Sequence, residues 1–185
     1  AAGFPRESVN LVLCTHLHVD HVGWNTMKQG DKFVPTFPNA RYLIGRDEYT
    51  FWSGVKEEEQ VEIMADSMAP VFDAGLVDLI GTDHVISPEI RLIPTPGHTP
   101  GHVSVLIESK GRRAMITGDF MHHPCQIGRP DWTLGSDTDE ATATRTRKAT
   151  LGDLADQPIL VIGTHFPTPT AGHIQRDGQT YKFAV

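Results

Sequence analysis

The segment THLHVDHVGWN, residues 15–25, places three histidines and one aspartate within six positions. It follows the apolar run LVLC, which predicts a continuous strand buried on both faces. In an extended segment His16 and His18 project to the same side, as two ligands of one metal ion must. Asp20 and His21 follow where we expect the chain to enter a helix. Because Zn²⁺ binds imidazole and carboxylate readily, the pattern predicts a metal site at the end of a strand.

Composition limits the classes of protein that can carry this cluster. The 185 residues are 39% hydrophobic and 21% charged, which is typical of one globular domain over residues 1–185. A formal net charge of −7 argues against nucleic acid and anionic membranes as partners, because both require a basic face. We therefore expect a small-molecule substrate. The chain has no apolar stretch near the roughly 18 residues of a membrane span, and its two cysteines suggest a reducing compartment, so we expect a cytoplasmic protein.

Strands and helices are expected to alternate along the chain, which indicates a layered α/β fold. A loop rich in glycine, proline and asparagine is predicted up to Asn39. Apolar residues at helical spacing predict an amphipathic helix of about 15 residues around positions 61–71. Asp137 and Glu140 resemble a capping box for a second helix that ends near Leu154. The predicted strands after the first are residues 41–45, 90–94, 103–108, 113–117 and 158–163.

Three later motifs follow predicted strands in the same way. They are TPGHTPGH at 95–102, TGDF at 117–120 and GTHFP at 163–167. Gly97 and Gly101 let the first of these loops turn tightly, so that His98 can reach inward. Asp119 ends an apolar run, and a carboxylate in such a place needs a cation or several hydrogen-bond donors.

These four motifs, in this order, resemble the metallo-β-lactamase superfamily, whose hallmark is H-x-H-x-D-H. The resemblance implies an αββα sandwich and a ligand at seven positions of this chain. His16, His18 and His98 would hold a first metal ion, Asp20, His21 and His165 a second, and Asp119 would bridge both. His102 matches a residue that supports a ligand without binding metal itself.

The resemblance also implies a reaction. Two Zn²⁺ ions per chain, or other divalent metals, would bind a bridging water that loses its proton near neutral pH. The resulting hydroxide would attack a carboxylic ester, a lactone or a phosphotriester. Asp20 could orient this nucleophile and pass a proton to the leaving group.

One departure from a family pattern suggests a branch of the superfamily. Acyl-homoserine lactonases generally carry a tyrosine three residues after the bridging aspartate, where this chain has His122. The methyl parathion hydrolase-like group tends to have histidine there, and its C-terminal pattern is similar to AGHIQRDGQTYKFAV. His122 is therefore a candidate catalytic residue, although His122 and His123 could both be solvated loop histidines. Trp24, Phe120 and His123 are further candidates for the substrate pocket.

Other readings of the sequence stay open. At most ten residues precede the first strand, whereas relatives carry several strands there, so the usual N-terminal strands are expected to be lacking. A second subunit could supply the missing cover, which favours a homo-oligomer. The alternatives to a hydrolase are a mononuclear iron oxygenase or related redox member of the same superfamily, and a non-catalytic fragment or assembly module.

Overall fold

The computed structural model describes residues 3–185. The chain divides into two compact units, the first ending at Gly81 and the second beginning at Thr82. Each unit has its own sheet and its own core of buried side chains. The expectation of a single domain over residues 1–185 stays a prediction.

The first unit contains five strands and four short α-helices. They are β1 (Leu11–Leu13), α1 (Val19–Val22), β2 (Thr26–Gln29), β3 (Lys32–Pro35), β4 (Arg41–Gly45), α2 (Arg46–Gly54), α3 (Glu58–Ile63), α4 (Ala69–Asp73) and β5 (Val77–Ile80). The predicted strand at 41–45 is confirmed as β4. The hairpin β2–β3 lies in the segment that was predicted to be a loop. The two strands were not predicted, because they are short and lie among turn-forming residues.

A parallel three-stranded sheet in the order β1-β4-β5 supports the histidine-rich segment. β1 pairs with β4 from Leu11 opposite Arg41 to Leu13 opposite Leu43. The prediction that β1 is buried on both faces is wrong, because Leu11 is exposed and the next two residues are only partly buried. The reason is the position of β1 at an edge of this sheet, where one flank has no strand beside it among the residues described.

The predicted amphipathic helix is present but not uniform. A π-helical turn, Met64–Met68, joins α3 to α4 and makes one helical segment of residues 58–73. Met68 and Val71 are buried on it, but Val61 is 50% exposed. The π turn inserts one extra residue per turn, which rotates the earlier part of the apolar stripe away from the core.

The second unit contains seven strands and two α-helices. They are β6 (Val85–Ser87), β7 (Ile90–Pro94), β8 (Val103–Ser109), β9 (Arg112–Ile116), α5 (Cys125–Gly128), α6 (Glu140–Leu154), β10 (Ile159–Ile162), β11 (Ala171–Asp177) and β12 (Thr180–Ala184). The strands form one sheet in the order β12-β11-β10-β9-β8-β7-β6. The strands predicted at 90–94, 103–108, 113–117 and 158–163 are confirmed within one or two residues, which is the usual uncertainty of element ends.

Strand direction brings three loops to one edge of this sheet. β9 and β10 are parallel, so the loops that follow them leave from the same edge. β8 runs antiparallel to β9, so its first residue lies at the edge where β9 ends. The loop from β7 to β8 is therefore at that edge too. These loops carry the TPGHTPGH, TGDF and GTHFP motifs.

Local sequence features explain one hairpin turn and one helix start in the second unit. The hairpin β8–β9 turns through Lys110 and Gly111, both with positive φ, as a two-residue hairpin loop requires. α6 begins after Asp139, whose carboxylate accepts the Thr142 N–H at 2.9 Å. The expected capping role of Asp137 is wrong, because its carboxylate is engaged elsewhere.

Among residues 3–185, no helix combines the length and apolar character that crossing a membrane would require.

Candidate metal centre

The H-x-H-x-D-H motif gathers its side chains within the first unit. The chain leaves β1, bends, and enters α1 at Val19, as the sequence predicted. The His16 ring lies 4.8 Å from the ring of His18 and 4.0 Å from that of His21, centre to centre. Asp20 Oδ2 is 3.5 Å from His21 Nε2. All four predicted ligands of this motif are thus close together, with His16 fully buried and Asp20 exposed.

A buried glutamate that the sequence analysis did not single out holds this loop. Glu48 on α2 accepts the Leu17 N–H at 3.2 Å and the indole N–H of Trp52 at 2.9 Å on the same Oε2. The Trp52 ring in turn packs at 5.1 Å against the ring of His18. α2 therefore fixes the backbone between His16 and His18. No sequence signal marks Glu48, since it lies in an ordinary acidic first turn of a helix.

Asp119 is the centre of the cluster in the second unit. Its Oδ2 lies 3.1 Å from Nε2 of both His122 and His165, and 3.7 Å from Nε2 of His98. The Asp119 side chain is 3% exposed, and the rings of His122 and His165 stack at 5.2 Å with an angle of 14°. Ligand atoms of His98, Asp119 and His122 all lie within 4.8 Å of one another, a spacing that fits a metal ion.

His102 holds the backbone of Asp119. Its Nε2 accepts the Asp119 N–H at 2.7 Å, so the ring proton is on Nδ1, which is 3.0 Å from the Thr95 carbonyl oxygen. Gly118 has a φ of +57°, and a Cβ there would lie 2.6 Å from His102 Nε2. The glycine therefore makes room for this hydrogen bond. His102 thus holds the backbone of Asp119, and its supporting role at a metal site stays a prediction.

The remaining candidates are found in three different environments. His122 is directed at Asp119 with 19% of its side chain exposed, so the reading of His122 as a solvated loop residue is wrong. His123 is exposed, and its Nδ1 accepts the Cys125 N–H at 3.1 Å. Phe120 is 2% exposed and belongs to the core of the second unit, so it packs inside the unit and does not line an open surface.

Trp24 lies on a groove in the first unit. It is 79% exposed and shares this groove, about 510 Å³ in volume, with apolar neighbours that include Met27 and Phe37. The indole is therefore available to a ligand, and its role as a pocket residue stays a prediction.

Neither cysteine belongs to the metal-binding pattern. Cys14 is buried, and burial raises the pKa of its thiol to about 11 although Asn25 hydrogen-bonds to it. It therefore stays a protonated thiol at neutral pH and makes a poor ligand. Cys125 is a free, exposed thiol on α5.

A buried ion pair behind the second cluster was not predicted from the sequence. Asp137 and Arg147 have fully buried side chains, with Oδ2 and Nη2 3.5 Å apart. A signal for Arg147 was present, because it shares the buried stripe of α6 with Ala143, Leu151 and Leu154. A charge on an apolar helix face is expected to find a buried partner.

The sequence profile of the Metallo-beta-lactamase superfamily matches residues 1–153. The chain belongs to the metallo-β-lactamase superfamily. Its mixed helix and sheet structure agrees with the fold of solved members, which confirms the predicted fold class.

Comparisons with individual proteins agree with this assignment. An N-acyl homoserine lactonase of Bacillus sp is 29% identical over 108 residues, which cover 58% of this chain and 36% of the lactonase. An uncharacterised protein of Aquifex aeolicus (strain VF5) is 30% identical over 172 residues, 87% of this chain and 70% of that protein.

Two solved structures cover nearly the whole chain. The hydrolase AbOPH of the beta lactamase superfamily matches with a TM-score of 0.86 and 29% identity, over 99% of this chain and 66% of that one. AidC, a dizinc quorum-quenching lactonase in complex with the product N-hexnoyl-L-homoserine, matches with a TM-score of 0.84 and 25% identity, over 98% and 66%. The chain thus spans slightly less than two thirds of these structures and about a third of the Bacillus lactonase.

Proposed function

We propose that the chain carries the catalytic residues of a dinuclear zinc hydrolase acting on small ester-like substrates. One observation supports this most directly: Oδ2 of the buried Asp119 is 3.1 Å from Nε2 of both His122 and His165. A buried carboxylate surrounded by imidazole nitrogens is a suitable donor set for a dication. The names of similar proteins, which include lactonases and a hydrolase, support the reaction class.

The donor atoms fit zinc better than softer metals. Within the second unit the donors are imidazole nitrogens and one carboxylate, and within the first they are three imidazoles and Asp20. Thiolates are absent from both sets among residues 3–185. Nitrogen and oxygen donors without thiolate are typical of catalytic zinc sites. The division into a first set of His16, His18 and His98, a second of Asp20, His21 and His165, and a bridging Asp119 rests on the family resemblance.

When bound, zinc ions supply two things, a lowered pKa of water and polarisation of a substrate oxygen. The protein supplies the rest. Asp119 contributes a negative charge that would offset dications, and its own side chain is only 3% exposed. Asp20 has a carboxylate that is 54% exposed and lies beside His21, so it can accept a proton and return it to a leaving group.

The substrate branch depends on His122. Its Nε2 faces Asp119, and its Nδ1 is buried with no hydrogen-bond partner among the residues that the structure describes. The preference for acyclic esters and phosphotriesters over lactones rests on the identity of this residue, since specialised lactone hydrolases generally carry a phenol at this position.

We predict that His122→Tyr raises the ratio of lactone to aryl-ester hydrolysis. The phenol reaches further than imidazole and donates one hydrogen bond, which suits the substrate oxygen of a lactone. The measurement is kcat/KM for a lactone and an aryl ester in both proteins, with the exposed His123→Tyr as the matched control. An unchanged ratio in His122→Tyr, or the same change in the control, would remove the case for this branch.

The proposed function is tested by a hydrolysis panel on zinc-loaded protein. Lactones, aryl esters, β-lactams and phosphotriesters are compared before and after removal of metal with a chelator. We expect turnover of ester-like substrates that disappears on chelation and returns with Zn²⁺. His98→Ala should abolish it, whereas His173→Ala, at an exposed histidine on β11, should not. One iron per chain with oxygen consumption, or full zinc content without turnover, would contradict the proposal.

The cellular setting forms a separate part of the proposal. We expect a cytoplasmic homo-oligomer that takes a small-molecule substrate and binds neither nucleic acid nor membranes. Light scattering of the purified chain tests the oligomer, and a monomer at micromolar concentration would contradict it.

A further inference from the structure

Two charged side chains lie fully buried behind the second cluster and take no part in the proposed chemistry. Asp137 precedes α6, and Arg147 lies in its middle, with Oδ2 and Nη2 3.5 Å apart and neither side chain exposed. Burial of a charge is costly even when the charge is paired, and apolar replacements of such pairs are often equally stable. Net stability alone therefore does not account for this buried pair.

Asp137 is bonded to a candidate ligand. Its Oδ1 lies 3.0 Å from Nδ1 of His98, while its Oδ2 accepts the Leu134 N–H at 3.4 Å. The carboxylate is paired with the Arg147 guanidinium and accepts the Leu134 N–H, so it acts toward His98 as a hydrogen-bond acceptor. The proton of a neutral His98 then lies on Nδ1, which leaves the Nε2 lone pair directed toward Asp119.

Arg147 reaches the loop that carries Asp119. Its Nε donates to the carbonyl oxygen of Phe120 at 2.9 Å. Its Nη1 donates to the carbonyl oxygens of Trp132 at 2.8 Å and Pro130 at 3.0 Å. A single guanidinium thus links the residue after Asp119 to the turn before Asp137.

Three hydrogen bonds link α6 and the residues before it to the loop that carries His98. The Thr138 N–H donates to the His98 carbonyl oxygen and the Asp139 N–H donates to the Gly97 carbonyl oxygen, both at 2.9 Å. The Thr146 hydroxyl donates to the Pro96 carbonyl oxygen at 2.6 Å. α6 and the residues before it are therefore hydrogen-bonded to three consecutive carbonyl oxygens, those of residues 96–98.

We propose that Asp137 and Arg147 are positioning residues that set the ring-proton position of His98 and hold the His98 and Asp119 loops in one fixed geometry for metal binding. The inference rests on the proposed function for the metal itself. The hydrogen bond between a carboxylate and a ligand histidine is a recognised means of orienting the ring and raising its basicity. Here the same carboxylate also fixes Arg147, so one ion pair controls both loops.

The main test removes both charges together, because a single charge left buried could unfold the protein. The double variant Asp137→Leu/Arg147→Met is compared with wild type and with Asp139→Asn. Asp139 is the matched control, because it lies two residues away and caps α6 without contacting His98, and asparagine caps equally well. Thermal unfolding and circular dichroism establish that each protein folds.

Two measurements decide the outcome. Long-range ¹H–¹⁵N NMR on metal-free protein gives the ring-proton position of His98, and competition with a chelator gives the zinc affinity. We expect the proton on Nδ1 in wild type and in Asp139→Asn, and a mixture of both forms in the double variant. We also expect zinc affinity in the double variant to fall about 10- to 100-fold, with no change in Asp139→Asn.

The opposite results would overturn the inference. They are an unchanged ring-proton position and zinc affinity in the folded double variant, or an equal loss of affinity in Asp139→Asn. If the double variant does not fold, Asp137→Asn is measured instead, since it keeps the size of the side chain and a weaker acceptor. We expect it to lose about 10-fold in zinc affinity, and wild-type affinity would refute the role.

Failure of the proposed function and failure of this inference would give different results. Wild-type protein that binds no zinc would refute the proposed function, and the ring-proton position in metal-free protein would then decide this inference alone.

Discussion

Asp119 combines two properties at the scale of the single residue. Its carboxylate is nearly inaccessible, and three imidazoles approach the same oxygen, Oδ2. Its backbone is fixed separately by His102, through a bond of 2.7 Å to the N–H. The charge and the position of this residue are therefore controlled by different neighbours, and two substitutions can separate them.

We predict that Asp119→Asn damages metal binding more than His102→Ala does. A neutral amide cannot offset the charge of a dication, whereas loss of a supporting hydrogen bond typically costs about 10- to 100-fold in affinity. Zinc content after dialysis and chelator competition measure both effects. Equal losses in the two variants would contradict the special role of the Asp119 carboxylate.

Close packing between the elements around the site, as well as polar contacts, sets the position of His98. The loop 95–102 approaches the first turn of α6 so closely that only glycine fits at one point. Gly97 has a φ of +127°, and a Cβ there would lie 2.2 Å from the Ala143 nitrogen. The position of His98 thus depends on the absence of a side chain at the preceding residue.

Gly97→Ala is expected to destabilise the protein by about 2–4 kcal/mol, from backbone strain together with overpacking against α6. Because His98 is adjacent, zinc affinity should fall as well. Gly135→Ala is the matched control, since a Cβ there meets no atom within 4 Å. Denaturant unfolding gives the stability of both variants, and a Gly97→Ala protein as stable as this control would show that the loop is not held as described.

The N-terminus of α6 provides a pH-dependent contribution to stability. The hydrogen bonds from the side chain and the backbone of Thr142 lower the pKa of Asp139. A carboxyl group with a lower pKa in the folded state stabilises the fold above its unfolded pKa, about 3.9, and loses this effect as pH falls through its folded pKa.

We therefore predict that the melting temperature of wild type exceeds that of Asp139→Ala at pH 6, and that the difference shrinks below about pH 4. Thermal unfolding from pH 6 down to about pH 2 measures it. A difference that stays constant across the range would show that the ionised carboxylate does not cap the helix.

The sequence predicted elements best where one strong local pattern decides them. The apolar strands β4, β7 and β10 and the helix α6 were located within one or two residues. The hairpin β2–β3 was missed, because pairing between short polar strands depends on the tertiary context and leaves little periodicity. The exposure of Val61 was missed for a related reason, since a π turn changes the period on which the prediction rests.

The candidate site shows the same difference between local patterns and contacts that depend on tertiary structure. The candidate ligands of each motif could be predicted from the sequence, because histidine and aspartate at strand ends form a distinctive local pattern, and their binding of metal stays a prediction. Glu48, Asp137 and Arg147 were not recognised as supports, because each acts on residues more than twenty positions away along the chain. Contacts between distant segments are specified by packing, and a single sequence does not display them.

At the scale of the whole molecule, each compact unit carries part of the predicted ligand set. The first contributes His16, His18, Asp20 and His21, and the second contributes His98, Asp119 and His165. The chain spans 66% of the solved hydrolase AbOPH and 66% of the solved lactonase AidC, so hydrolysis by this chain is a proposal for direct measurement.

We propose that this chain needs two zinc ions for ester hydrolysis. The most direct measurement is a titration of metal-free protein with Zn²⁺, in which calorimetry records binding and an aryl-ester assay records turnover in the same samples. We expect two bound zinc ions per chain, with activity that reaches its plateau at the second equivalent. Binding of no zinc, or saturation of both binding and activity at one equivalent, would contradict it.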